Sequence, residues 1–321
     1  MESARDKCTG EIVDAEQLWI IDPVDPLGYE CRGCGASVTP CSYRPENKVR
    51  PYFSAKDGHD AGCDVEGEIE LVKRARKQRV STREGFPGSF PNRLVLRDTR
   101  PVAGSNGTPT DATSTGRYRA GSNGSAEAQR DRHWAAQTIR PICRTFVNYP
   151  YDRDIPLAVP GIAAHTYQRA FRPLKSDQIL LYPESRLFYA PISWKAPIEV
   201  DDQLEIQLSY GEWTERKLTR PYRVRMDWKD WSAAKRTYVS REIETARLEY
   251  MAAKKRGDNE KGWLFFIGRQ DEDDPALFHV DDHRLVCCVV AEMIYPPRPA
   301  KRQSERHASV RDSTEFAARN G

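Results

Sequence analysis

Alternating apolar and polar residues mark much of the second half of the chain. Leu204, Ile206 and Leu208 alternate with polar positions, and a period of two is typical of strands with one buried face. Continuous apolar runs at 262–267 (GWLFFI) and 285–290 (LVCCVV) are typical of central strands. By residue number, the predicted strands are 165–174, 178–181, 186–194, 204–210, 222–228, 262–269, 277–280 and 284–291.

One helix interrupts these strands. The segment 239–255 places Ile243, Ala246 and Tyr250 on one apolar stripe, and Gly257 follows as a residue that can end a helix in the left-handed conformation. Strands followed by a helix and further strands predict a β-dominated α+β fold with antiparallel strands and one main helix. Two architectures fit this order, an OB-like barrel and an open sheet packed on the helix, and the pattern does not separate them.

Composition divides the chain into four pieces. Residues 1–96 hold a cysteine cluster and a basic segment, and 132–295 hold most of the aromatic and β-branched residues. Between them, 97–131 is rich in Gly, Ser, Thr and Asn, which predicts a flexible linker because too little apolar surface is available to offset the cost of ordering. Residues 296–321 open with prolines and turn polar, which predicts a disordered tail.

The composition of the whole chain excludes few functions. Of its 321 residues, 39% are hydrophobic and 30% are charged, and the mean hydropathy is −0.72. No run of 18 apolar residues exists and the first residues carry no apolar stretch, so we expect no membrane span and no secretory signal, and we expect the protein in the cytoplasm. Lysine and arginine exceed aspartate and glutamate by only 50 to 47, so the distribution of charge must indicate a partner.

Four residues near the N-terminus have the spacing of a metal site. Cys31 and Cys34 form a Cys-x-x-Cys pair, and His59 and Cys63 form a second close pair. In a reducing compartment such cysteines indicate metal binding rather than disulfides, and thiolates with an imidazole are ligands that Zn²⁺ prefers. With a hairpin between the two pairs, they predict a small zinc-ribbon-like module that holds a structural zinc. Cys41 could replace His59 in an alternative ligand set, but it falls within the predicted hairpin and is expected to be an apolar filler.

The stretches TGEIVDA, YECRGCGASVTP and VRPYFSAKDGHDAGCD lie within about residues 8–70. Together they resemble the N-terminal zinc-finger region of the CoiA-like competence-protein family, which has a Cys-x-x-Cys-Gly pair and a closing cysteine. Tyr52 stands where that family often has a histidine, which leaves His59 as the imidazole candidate. The resemblance covers under a quarter of the chain. It implies work on DNA, since the family is linked to the handling of incoming single-stranded DNA and often carries a nuclease-like domain after the finger.

Basic residues concentrate directly after the predicted zinc module. The segment 71–83 (LVKRARKQRVSTR) carries no acidic residue, and lysine and arginine at this density can neutralise phosphates and release counterions. Such a run is also typical of a solvated helix face, and both interpretations stay open. The predicted nucleic-acid contacts are Arg44, Lys48 and Arg50 on the hairpin, Lys73, Arg74, Arg76, Lys77 and Arg79 in this segment, and Arg223 and Arg225 on a strand.

Two further groups are candidates for chemistry, and each has a simpler alternative. Asp202, Asp227 and Lys229 resemble the layout of a Mg²⁺-dependent nuclease, in which carboxylates bind the ion and a lysine steadies the attacked phosphate. A strand ending in an aromatic-rich turn explains the same residues. The sequence HVDDH at 279–283 offers imidazoles and carboxylates to a transition metal, but it is also typical of a polar hairpin turn.

The favoured hypothesis is a nucleic-acid-binding protein with a structural zinc, binding DNA rather than RNA. Its role would be that of an accessory factor in DNA processing, DNA uptake or anti-phage defence, with protein partners in a larger complex. The alternatives are the Mg²⁺-dependent nuclease and an adaptor that docks proteins only. The motifs GxxxxGK[ST], GxGxxG, GxSxG and HExxH do not occur, which removes the common nucleotide-binding and hydrolase interpretations.

Overall fold

A computed structural model of the protein describes residues 1–47, 49–97 and 133–297. Lys48 and nearly all of the predicted linker and tail lie outside these residues. The strands are β1 (Ser3–Asp6), β2 (Ile12–Asp14), β3 (Tyr29–Glu30), β4 (Ser37–Cys41), β5 (Tyr52–Ser54), β6 (Phe90–Leu94), β7 (His133–Ala136), β8 (Phe171–Pro173), β9 (Leu187–Pro191), β10 (Ile198–Val200), β11 (Gln203–Thr214), β12 (Lys217–Asp227), β13 (Lys261–Ile267), β14 (Arg269–Gln270), β15 (Leu277–His279) and β16 (Val286–Ala291). The helices are α1 (Glu68–Ala75), α2 (Arg140–Asn148), α3 (Tyr167–Ala170) and α4 (Ala233–Arg256), with short 3-10 helices at Ala15–Trp19 and His283–Leu285. The predicted strand-rich α+β class with one main helix is confirmed.

The first five strands form one antiparallel sheet in the order β2-β1-β3-β4-β5. The predicted hairpin is confirmed, since β4 pairs antiparallel with β5 and Pro40 lies opposite Phe53. Tyr29 and Val38 are buried opposite each other, and the ring of Tyr29 lies 5.1 Å from that of Phe53. Because a core this small buries little apolar surface, the sheet needs a second stabilising element.

Two further sheets form the larger part of the molecule. One has the order β10-β11-β12-β15-β14 and the other β16-β13-β9-β8, and α4 packs on β13 and β16. Most neighbouring strands are antiparallel, while the β12–β15 and β8–β9 pairs are parallel. Leu204, Ile206 and Leu208 are buried, as the alternation along β11 predicts. Among the described residues both orders are those of open sheets, so the open-sheet alternative describes the architecture.

The main helix α4 begins at Ala233 rather than at 239. Ser232 caps it, because its hydroxyl accepts a hydrogen bond from the backbone N–H of Lys235 at 3.4 Å. The predicted end is confirmed by Gly257, which has a φ of 80° and donates its N–H to carbonyls of the last turn. The pattern missed the start since only Tyr238 is buried between 233 and 238. None of the described helices is long and apolar enough to cross a membrane.

Other elements also differ from the prediction. The prediction omits the nine-residue helix α2, although Ile142, Cys143 and Phe146 have helical spacing and form a buried apolar stripe. The predicted strand 165–174 contains α3 followed by the short β8. Residues 178–181 form no strand, since the Leu180 N–H donates to the hydroxyl of Tyr222 at 2.8 Å instead of to a neighbouring strand.

The segments on both sides of residues 98–132 share a sheet and a core. Strand β6 pairs in parallel with β7 across that gap. Ala75 of the first segment packs in the same apolar cluster as Ile142 and Phe146 of α2. The boundary that composition places near residue 96 therefore follows β6 directly and does not separate two cores.

Buried charges join the N-terminal sheet to the larger part. The Glu16 carboxylate, whose side chain has no exposed surface, lies 3.2 Å from Arg140 and 2.7 Å from Arg144. The Glu242 side chain of α4 is 1% exposed and contacts Arg140 and, at 3.2 Å, Arg50. Because charges buried this deeply are tolerated only when they are paired, this ion cluster determines how the two parts pack together.

Candidate metal centre

The Cys-x-x-Cys pair lies in the turn between β3 and β4. Antiparallel pairing holds Tyr29 opposite Val38, which brings the two ends of the turn together. The Cys31 N–H donates to the carbonyl of Ala36 at 2.7 Å, and the Gly35 N–H donates to the carbonyl of Cys31 at 2.9 Å. Gly35 has a φ of 79°, a left-handed conformation that glycine adopts without strain. This compact turn presents both sulfurs to the same space.

The second pair follows β5 in a loop of successive turns. The Cys63 N–H donates to the carbonyl of Asp60 at 3.1 Å, and Gly62 before it has a φ of 81°. The carbonyl of Cys63 then accepts the N–H of Gly67 at 3.4 Å, immediately before α1 begins. A turn over residues 60–63 therefore follows His59 directly, and the chain passes from this turn into α1.

The side chains of the two pairs converge. The Cys31 sulfur lies 3.7 Å from the Cys63 sulfur. The His59 Nδ1 atom lies 3.6 Å from the sulfur of Cys34 and 3.6 Å from that of Cys63. All four ligand atoms lie within 4.8 Å of one another, and among the described residues this is the one group of its kind. The structure thus brings the predicted ligands together in an arrangement that can hold a metal ion.

The two cysteines of the first turn have opposite pKa shifts. Burial disfavours the thiolate of Cys31 and raises its pKa to about 11. Cys34 also loses solvent, but hydrogen bonds from the N–H groups of Ala36 and Asp60 and the contact with His59 outweigh burial and lower its pKa to about 7. Because the thiolate is the form that binds metal, Cys34 is already prepared for ligation at neutral pH.

Packing around the ligands leaves little room to change the first turn. A Cβ atom at Gly33 would lie 3.1 Å from the Cys63 sulfur and 3.1 Å from Val65. Arg32, inside the same turn, donates to the Glu68 carboxylate at 2.6 Å and so ties the turn to α1. The sequence does not predict this pair, because two residues 36 positions apart leave no local pattern.

The other candidate metal ligands do not assemble. Cys41 lies on β4, outside the ligand group. His279 contacts Asp271 at 2.8 Å, and His283 contacts Asp282 at 3.1 Å. The second metal candidate is therefore not formed among the described residues, since each imidazole has its own carboxylate partner.

Several predicted nucleic-acid contacts stay on the surface. Arg74 and Lys77 have no ion-pair partner among the residues that the structure describes, whereas Lys73 and Arg79 each lie 2.6 Å from a carboxylate oxygen. Arg76 is half-buried and donates to the backbone carbonyl of Glu292 at 3.1 Å. The exposed members of the predicted set are Arg44, Lys73, Arg74, Lys77 and Arg79.

Three other predicted contacts are engaged by carboxylates. Arg50 lies among three of them, the nearest being Glu249 at 2.8 Å, so its guanidinium faces the interior and does not belong to a surface for phosphates. Arg223 and Arg225 both contact Glu205, at 3.3 and 2.8 Å. This carboxylate offsets much of the positive charge that the alternating arginines of β12 suggest.

The candidate nuclease residues lie at one end of the β11–β12 hairpin. Asp227 is paired with Gln203, next to Asp202. Arg236 lies 3.0 Å from the Asp202 carboxylate, and the Asp227 carboxylate accepts the backbone N–H of Lys229 at 3.3 Å. Because an arginine already neutralises Asp202, the geometry does not favour Mg²⁺ binding there.

No protein-family model, curated protein or solved structure matches this chain. The resemblance to the CoiA-like family and the DNA-related role that it implies therefore stay predictions.

Proposed function

We propose that this protein binds nucleic acid through a basic segment (residues 71–83) that a structural zinc ion holds in place. Exposed cations with no carboxylate partner among the described residues follow the last candidate ligand, Cys63, along the chain, and this placement carries the proposal. The preference for DNA over RNA, and a role as an accessory factor in DNA processing, uptake or anti-phage defence, follow the CoiA-like resemblance. Thiolate ligation suits a reducing compartment, so we also propose the cytoplasm.

The separations between the ligand atoms support zinc. Zinc in a structural site takes four ligands in a tetrahedron, with Zn–S distances of about 2.3 Å and Zn–N distances of about 2.0–2.1 Å. Such a tetrahedron requires about 3.8 Å between two sulfurs and about 3.6 Å between a sulfur and a ring nitrogen. The Cys31–Cys63 separation of 3.7 Å and the two His59 separations of 3.6 Å match these values. With four protein ligands no position is left for a reacting water, so the ion's role is structural.

The metal ligand Cys63 and the basic segment are mechanically linked. The Cys63 carbonyl accepts N–H groups directly before α1, and the Arg32–Glu68 ion pair ties the first metal turn to that helix. Zinc therefore fixes the direction in which α1 leaves the metal centre. Arg74 near its end and Lys77 after it project from this anchored element into solvent.

Exposed, unpaired cations are the groups that gain most from phosphates. Three such cations are exposed and have no carboxylate within ion-pair distance in the described part of the chain: Arg74, Lys77 and Arg83. Each cation that neutralises a phosphate releases condensed counterions. On duplex DNA, the plot of the logarithm of the binding constant against the logarithm of the salt concentration therefore has a slope of about −0.9 per contact. Three contacts give a slope of about −3, and six give about −5.

The zinc is tested by metal analysis of the purified protein. We expect one zinc per chain, which Cys63→Ser removes while Cys41→Ser, a matched change outside the ligand group, retains it. Because structural zinc contributes about 10–16 kcal/mol of apparent binding energy in small fingers, chelation should unfold the N-terminal sheet. The structural role would be contradicted if the purified protein contained no zinc, or if its melting temperature did not change on addition of zinc or of chelator.

Nucleic-acid binding is tested by fluorescence anisotropy with mixed-sequence DNA and RNA at several salt concentrations. We expect the variant R74Q/K77Q/R83Q to bind more weakly and to lose about 2–3 units of the salt slope. A control variant with the same loss of charge, R172Q/R216Q/K217Q, changes three exposed cations outside the segment and should bind like the parent protein. Equal weakening in both variants, or no binding at low salt, would refute the proposal.

A further inference from the structure

A cavity lies where the N-terminal strand, the Cys-x-x-Cys turn and α2 meet. Its internal volume is about 50 Å³, enough for about three or four water molecules or one small oxyanion. The polar residues in its wall include Arg32, Ser89, Trp134, Arg144 and Asn148. None of them belongs to the basic segment, and none ligates the metal.

Two donors in this wall lack an acceptor. The Arg32 side chain is 9% exposed, and its terminal nitrogens donate to Glu68 and Ser89, yet its Nε has no hydrogen-bond partner among the described residues. The indole Nε1 of Trp134 is also buried and unpartnered there. A guanidinium and an indole N–H can only donate, so the missing partner must be an acceptor. Buried donors are rarely left unpaired, so oxygen atoms, of water or of a bound group, are expected to meet them in this cavity.

A second guanidinium supplies positive charge to the same cavity. Arg144 is 15% exposed and lies 2.7 Å from the buried Glu16 and 3.3 Å from Glu2. The side chain of Glu2 is 66% exposed, and that of Glu68, whose carboxylate pairs with Arg32, is 40% exposed. These two carboxylates reach the arginines from the solvent side, where a stronger anion can displace them.

Asp14 is the remaining acid in the cavity wall. Burial raises its pKa to about 7, against the opposing effect of Arg144, so the group is about half protonated at pH 7 and largely uncharged in mildly acidic solution. Thr138 donates its hydroxyl to the carboxyl at 3.1 Å. A protonated Asp14 does not repel an anion held between the two arginines.

We propose that this cavity binds a phosphate group, held by Arg32, Trp134 and Arg144. A carboxylate would only replace the monovalent carboxylates of Glu2 and Glu68, whereas a phosphate dianion brings more charge and more acceptor oxygens to the same donors. The source is either free inorganic phosphate or the terminal phosphate of a nucleotide or nucleic acid.

The test follows the indole N–H resonance of Trp134, identified by its loss in Trp134→Phe. Inorganic phosphate is added at constant ionic strength to the zinc-loaded full chain, with chloride as the comparison. We expect a saturable shift with phosphate at millimolar concentration or below and none with chloride. A response shared by both anions, or no saturable shift, overturns the proposal.

A gain of binding separates a phosphate site from a merely structural arginine. Glu68→Gln removes the carboxylate that competes for Arg32, so phosphate should bind several-fold more tightly. Glu70→Gln, on the same helix with its partner Lys73, is the matched control and should leave phosphate affinity unchanged. Equal affinities in the two variants would overturn the assignment to Arg32.

Two further arms identify the source of the phosphate. A nucleoside 5′-monophosphate that binds at least tenfold more tightly than inorganic phosphate assigns the site to nucleotide ends, and equal affinity assigns it to the free ion. The site is independent of the proposed DNA contacts, so R74Q/K77Q/R83Q should retain the phosphate response of Trp134 even where DNA binding is lost.

Discussion

Replacing Arg140 by methionine perturbs the ion cluster that holds the N-terminal sheet on the larger part. The Arg140 side chain is 2% exposed, lies 3.2 Å from Glu16, contacts Glu242 and donates to the carbonyl of Cys288 at 2.9 Å. Methionine retains much of the volume and removes the charge and all five donors. Two buried carboxylates then lose a shared partner.

The magnitude follows from the geometry. At 3.2 Å, one pair of unit charges contributes about 5 kcal/mol at an effective dielectric constant of about 20. Relief of the repulsion between Arg140 and the neighbouring Arg50 and Arg144 offsets part of this loss. Breaking a buried pair by removing one partner costs about 3–5 kcal/mol, and we expect Arg140→Met to lie in that range.

The assay is urea unfolding of zinc-loaded protein at neutral pH. Arg256→Met is the matched control, since Arg256 is 60% exposed and pairs with Asp258 at the surface, and should cost less than about 1 kcal/mol. Adding Glu242→Gln to Arg140→Met should recover part of the stability, because it removes a buried charge that has lost Arg140 and keeps only partial compensation from Arg50. The amide oxygen can still accept the Cys288 N–H. If Arg140→Met costs no more than Arg256→Met, the cluster does not secure the two parts and the reasoning fails.

Two further predictions concern Asp14 and Gly211. Burial raises the Asp14 pKa from 3.8 to about 7, so the folded state binds a proton that the unfolded chain releases, and stability falls as the pH rises from about 4 to about 7. Asp14→Asn should remove this loss, so it should raise the free energy of unfolding by up to about 4 kcal/mol at pH 8 and by little at pH 4. Urea titrations at both pH values measure the difference. A free energy of unfolding that depends on pH as in the parent protein would contradict the reasoning. Gly211 has a φ of 151°, and a Cβ there would lie 2.2 Å from the carbonyl oxygen of Arg220. Gly211→Ala should therefore destabilise the protein by about 2–3 kcal/mol or more in thermal unfolding. The control is Gly161→Ala, which should cost about 1 kcal/mol because Gly161 has a φ of 76° and open space around it. Equal costs would contradict the predicted clash with the backbone of β12.

The four candidate metal ligands could be predicted because each pair is local in the chain. Three peptide bonds separate Cys31 from Cys34, and a single loop connects His59 to Cys63, so tight turns alone place each pair. The meeting of the two pairs depends on the β4–β5 hairpin, in which Pro40 lies opposite Phe53. The Arg32–Glu68 pair that ties this centre to α1 has no comparable local pattern.

Regular elements were predictable to the extent that burial follows a period. In β11 every second residue from Leu204 to Leu208 is buried, and the stripe of α4 through Ile243 and Ala246 faces the core, so both periods are visible in the sequence. The helix α2 has such a period too, since Ile142, Cys143 and Phe146 are buried on one side, so the prediction missed a signal that the sequence contains. Only the burial of its first residue, Arg140, depends on distant partners, Glu16 and Glu242.

The sequence by itself determined the strand-rich class, the main helix and the ligand set, since periods and close pairs are properties of a short stretch of chain. Only the tertiary structure decided the role of each charge. Arg50 carries the same charge as Arg74, yet Arg50 reaches Glu242, 192 positions away, while Arg74 stays in water. The physical reason is that an arginine binds whichever carboxylate the path of the chain brings within about 4 Å, and a buried carboxylate holds it far more strongly than solvent does.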